Sequence, residues 1–145
     1  MKNSLKVLLC LILLNISCSD DNNNNNVNSN CDKLSQVISE ENFQDVITAN
    51  YMITNAALDG DCLSVTISSS GCNGETWEMK LLGTNNVMES LPLQRDVKIE
   101  LDNQELCLAV FQKTVSFDLI PFRVEGQNQV DLHLDGWDET IEYQY

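Results

Sequence analysis

Positive charge is scarce in this chain. Eight lysines and arginines stand against 22 aspartates and glutamates, a formal net charge of −14 at pH 7. Such a polyanion repels phosphate backbones, which excludes nucleic acid as a partner. Histidine is scarcer still: His133 is alone, so acid–base chemistry near neutral pH has one ordinary candidate. No Cys-x-x-Cys pair, Gly-x-Ser-x-Gly elbow, phosphate-binding loop, His-Glu-x-x-His pair or dinucleotide fingerprint occurs. Long apolar runs are missing too. Val7–Leu14 is an unbroken run of eight residues, where a membrane-crossing helix needs about 20.

That short run has another reading. Lys2 and Lys6 precede it and small Ser17 comes after it, the arrangement of a secretory signal over residues 1–17. Leu14-Asn15-Ile16-Ser17-Cys18 resembles a bacterial lipobox, which implies lipidation of Cys18 and anchoring to a membrane through acyl chains. Ser19-Asp20-Asp21 resembles the acidic export signal of Bacteroidetes-type lipoproteins, which implies the outer face of the outer membrane. The asparagine-rich stretch to Asn30 is too polar and too low in complexity to bury a core. As a flexible tether, residues 18–30 would hold the remainder of the chain about 20 Å from the lipid. Loss of Lys2 and Lys6 with the signal takes the net charge from −14 to −16.

Residues 31–145 then form one domain. Four cysteines belong to it, Cys31, Cys62, Cys72 and Cys107, an even number in an exported chain, which reads as two disulfides. Three pairings are possible; we favour Cys72–Cys107, tying strand ends across the core, with Cys31–Cys62 pinning the N-terminal segment. Apolar residues alternate with polar ones around Leu63-Val65-Ile67, Trp77-Met79-Leu81, Val97-Ile99-Leu101 and Val130-Leu132-Leu134. Shorter patterns surround Tyr51-Ile53, Leu106–Phe111, Val115-Phe117-Leu119 and Ile141-Tyr143-Tyr145. Seven or eight strands at such spacing predict a single antiparallel β-sandwich of immunoglobulin-like architecture. The interval of 35 residues between Cys72 and Cys107 and the position of Trp77 do not fit a true immunoglobulin sequence. Between Asp32 and Val46 the pattern allows a short helix opened by Ser39 or an edge strand at Val37-Ile38.

From Asp59 onward, Leu63-x-Val65-x-Ile67, Ser70-Gly71-Cys72, Leu91-Pro92-Leu93-Gln94, Leu106-Cys107 and Phe117-Asp118-Leu119 resemble small Bacteroidetes-type surface lipoproteins without a known activity. The resemblance implies localisation and fold but no mechanism. Histidines common in that group after the first cysteine and before the second are replaced here by residues such as Glu75 and Asn103.

Candidate chemistry is thin. His133 lies between Asp131 and Asp135 on one strand face, an acidic setting without a visible nucleophile. Asp135, Asp138 and Glu139 concentrate carboxylates in a turn, a calcium site on paper. Trp137, in the same turn, is the candidate platform for a sugar, whereas Trp77, in phase with Met79 and Leu81, reads as core. The expectation is a surface module, not an enzyme, that binds an envelope protein, a peptide or a glycan. The alternative is an inhibitor of an extracellular enzyme acting through loop 85–96. A carboxylate-based hydrolase ranks third.

Overall fold

The computed structural model describes residues 30–145, so the readings of the signal, Cys18 and the tether up to Ser29 lie outside the described residues. Among the described residues nine strands form two sheets: β1 Lys33–Leu34, β2 Gln36–Ile38, β3 Met52–Asp59, β4 Cys62–Gly71, β5 Glu78–Thr84, β6 Leu93–Asp102, β7 Ala109–Asp118, β8 Gln129–Leu134 and β9 Ile141–Gln144. One sheet has the order β1-β7-β4-β3, the other β2-β5-β6-β8-β9. Between them lies a single core. Leu63, Val65, Ile67, Val115 and Phe117 from the first sheet meet Met79, Leu81, Val97, Ile99, Leu101, Val130 and Leu132 from the second. These are the alternating apolar residues of the sequence, and each contributes about 1.5–3 kcal/mol by leaving water. Trp77 is fully buried among them.

The sheets are mixed, which corrects the antiparallel expectation. β1–β7, β2–β5 and β6–β8 run parallel. The cause is chain path. After β6 the chain crosses to the opposite sheet for β7 and returns beside β6 as β8, and a period of two reads the same in either direction. At the N-terminus one extended segment serves both sheets. Buried Ser35 marks the switch from β1 to β2, its N–H and hydroxyl both donating to Asp118 O. The helix and strand offered as alternatives before Val46 are both present: β2 is followed by α1, Glu40–Gln44, whose first turn is capped by the Ser39 hydroxyl accepting from Asn42 N.

The two expected strands at Leu106–Phe111 and Val115–Leu119 are one ten-residue strand, β7. Leu106 and Leu108 stay outside it and point into solvent. Loop 85–96 is also shorter than expected, since β6 begins at Leu93.

Both disulfides form as favoured, Cys31–Cys62 and Cys72–Cys107, with Cα separations of 5.5 and 4.8 Å. Cys72–Cys107 does not cross the core. It joins the residue after β4 to the segment before β7, neighbours in one sheet. Beside it the Glu105 carboxylate accepts from the backbone N–H of Cys72, Asn73 and Gly74 and from the Thr76 hydroxyl. Gly71 is needed here, because a Cβ would run into that carboxylate and into Trp77. Partial desolvation alone would raise the Glu105 pKa, but four donors override it and hold it at about 2, against an ordinary 4.5. A carboxylate depressed in the folded state stabilises above its unfolded pKa and loses that contribution as pH falls through the folded one. Glu105→Gln is therefore expected to lower the melting temperature at pH 7 and to shrink the loss between pH 4.5 and about 2. Thermal melts across that window decide it; parallel acid limbs in both proteins would show that the nest does not hold the charge.

Candidate functional site

The parallel pairing of β6 with β8 sets Asp96 opposite His133 and Val97 opposite Leu134 on adjacent strands. Val97 and Leu134 point to the core, so Asp96 and His133 point outward. Beyond β8 the chain turns sharply at Gly136, whose φ of 82° lies in the left-handed region. Trp137 N donates to Leu134 O, and Asp135 N donates to Val97 O. From the other side α1 leans across β6. Lys98 fixes it, with Nζ donating to Phe43 O at 2.7 Å and lying 4.0 Å from the centre of the Phe43 ring. The depression between helix and turn, about 440 Å³, is lined by Phe43, Asp96, Lys98, His133, Asp135 and Trp137.

Three residues singled out in the sequence thus meet: His133, Asp135 and Trp137. Trp137 is half-buried, one side packed against the core. Asp138 and Glu139 are exposed and do not line the depression. Among the described residues no three His, Cys, Asp or Glu side chains converge to hold a metal ion, so the turn does not gather Asp135, Asp138 and Glu139 into a calcium site. Nor is His133 hydrogen-bonded to its strand neighbours. Its Nε2 is 2.9 Å from Gln94 Oε1, while Asp131 accepts from Gln129 Nε2. Phe43, Asp96 and Lys98 are not legible as site residues in the sequence. Only the outward parity of Asp96 hints at its side, and nothing in the sequence reveals which strand lies next to which.

The surrounding field is negative for a structural reason. Twenty acids and six cations belong to the described residues, and all six cations are engaged within the fold. Lys33 pairs with Glu78, Lys80 with Glu100 and Arg123 with Asp61. Lys98 bonds Phe43 O, Lys113 bonds Gly74 O and Trp77 O, and buried Arg95 donates to Thr84 O. Burial lowers the Arg95 pKa, and its guanidinium lies 5.6 Å from the centre of the Phe122 ring. Asp61 also accepts from the Tyr143 hydroxyl, and this bond, reinforced by Arg123, outweighs desolvation and depresses its pKa. Acids such as Asp96, Asp135, Asp138 and Glu139 therefore face solvent without a balancing set of free cations.

No family model and no curated protein matches the chain. Solved structures do. A protein of unknown function, DUF1344, from Bacteroides vulgatus shares 13% identity over 78% of this chain and 56% of its own, with a TM-score of 0.52. A NigD-like immunity protein from Bacteroides caccae shares 11% identity over 76% of this chain and 57% of its own, with a TM-score of 0.53. The chain spans a little over half the length of each. At such identity the likeness is one of fold. This chain is a disulfide-braced, mixed-sheet β-sandwich, and its overall fold is similar to solved structures from Bacteroides.

Proposed function

We propose that this protein is a lipoprotein anchored through Cys18, exposed on the outer surface of the outer membrane, that acts as a non-enzymatic binding or accessory module. The observation that carries the binding reading is the depression between α1 and the turn at Gly136, walled by half-buried Trp137 and edged by Asp96, Asp135 and His133. An aromatic face beside carboxylates suits the cationic or amphipathic side chain of a peptide or envelope protein, or the face of a sugar ring. Inhibition of an extracellular enzyme is the second reading; the occurrence of this fold in a protein described as a NigD-like immunity protein favours it as the alternative.

The test places a photo-crosslinking amino acid at Trp137 in intact cells. A discrete adduct that persists when exposed Glu89, in the loop before β6, is varied supports the module; a probe that crosslinks nothing above background sinks the depression as its site. Calcium is expected to leave the melting temperature unchanged, because the turn does not gather its carboxylates. A true site would add about 2.7 kcal/mol at a hundredfold excess over its dissociation constant. A clear upward shift would overturn that expectation.

A further inference from the structure

Leu106 and Leu108 are 93% and 92% exposed, and Val110 is 71% exposed. A lone exposed leucine needs no explanation, but these recur at every second residue in a segment that is tied down. Cys107 is bonded to Cys72, Asn103 donates to Ser70 O and accepts from Glu105 N, and the Glu105 carboxylate sits in its four-donor nest. The strip cannot fold back onto the core without breaking those ties.

It leads into a strand with an open side. One side of β7 pairs with β4 along its whole length, while among the described residues the other is paired with a strand only at Phe117 and Asp118, by β1. On that second side Asp32 N and Ser35 N donate to Ser116 O and Asp118 O, and Ser116 N donates to the Asp32 carboxylate. Backbone groups alternate direction along a strand, so Val110, Gln112 and Thr114 present their N–H and C=O groups to the same side, beyond the reach of β1. A sheet edge of this kind is a template for an added strand.

Resting on the binding-module reading above, we propose that the open edge of β7 receives an extended segment of a partner protein as an added strand. Leu106, Leu108 and Val110 line its apolar side chains, and the segment alternates apolar residues with lysine or arginine. Charge selects this occupant. All six cations of the described residues are already engaged by the fold, Lys33, Lys80 and Arg123 in ion pairs at its surface and the other three on backbone carbonyls. Asp32 stands at one end of the edge, and Glu105 and Glu75 belong to the loops at the other. A second copy would bring the same negative charge.

The probe is a short synthetic peptide alternating valine with lysine, titrated into the full chain in mild detergent and followed by amide NMR. The amides of Val110, Gln112 and Thr114 are expected to shift and gain protection from exchange, with affinity falling as salt is added. A valine–glutamate peptide is expected to leave them unmoved. Leu106→Ser with Leu108→Ser is expected to weaken binding about tenfold while leaving the melting temperature close to wild type. Gln112→Pro should do the same, since the N–H it removes faces the open edge and not β4. An unresponsive β7, equal binding of the glutamate peptide, or dimerisation of the chain through β7 in sedimentation would overturn the proposal. If β7 fails while the Trp137 probe still crosslinks a surface partner, the module stands and only the edge is wrong.

Discussion

Replacing Cys18 with Ala is expected to move the protein from the membrane fraction to the soluble fraction and to abolish incorporation of labelled fatty acid. Under the proposed anchoring, acyl chains on Cys18 supply the membrane affinity. Each buried methylene contributes about 0.8 kcal/mol, so two or three chains hold stably where a single one is released. No helix among the described residues is long and apolar enough to cross a membrane. With the acyl chains as the proposed source of membrane affinity, the effect should be close to complete and not a graded weakening. A variant that stays with membranes and keeps its label would remove Cys18 from the account. Exposure on the cell surface is separable. Changing Asp20 and Asp21 to Ala should lower protease accessibility on intact cells without releasing the chain, and unaltered accessibility would dissociate those two residues from export.

The second large effect is expected at the end of the β4–β7 pair. Changing Cys72 and Cys107 together to Ser opens a loop of 35 residues, which should cost about 3–4 kcal/mol in the chain-entropy account. For a domain of this size that is roughly 10–20 °C of melting temperature. The bond also holds the backbone that wraps the Glu105 carboxylate. The double variant should therefore lose both stability and the acid-limb contribution of Glu105. Opening Cys31–Cys62, which spans 31 residues and pins β1, is the control. Its entropic cost is similar, but its melts should keep the Glu105 contribution. If both disulfide variants retain the wild-type acid limb, the nest forms without help from Cys72–Cys107; if neither loses stability, the braces are incidental.

Much of the architecture can be read in advance because burial has a period. Leu63-Val65-Ile67, Val97-Ile99-Leu101 and Val130-Leu132-Leu134 alternate with polar residues, and alternation specifies which face of a strand is buried whatever the strand's partner. The phase of Trp77 with Met79 and Leu81 places it in the core for the same reason. The cysteine pairing favoured from chain organisation matches the structure. Leu106 and Leu108 show the limit of the same logic. They belong to the apolar run toward Phe111, yet they are exposed, because they lie before β7 and share the outward parity of Val110, opposite to that of Val115 and Phe117.

The sequence by itself determined the charge balance, the even set of cysteines in residues 31–145, the strand-rich pattern and the inward face of each long strand, all local properties of side-chain chemistry and spacing. Tertiary structure alone decided that three pairings are parallel, since alternation carries no direction. It decided that Phe43, Asp96 and Lys98 join His133, Asp135 and Trp137 around one depression, and that Asp138 and Glu139 do not. It also decided where the positive charge goes. Composition counts six cations among the described residues, but only the folded backbone supplies the carbonyls at Phe43, Trp77 and Thr84 that hold three of them, while the other three pair with carboxylates at the surface.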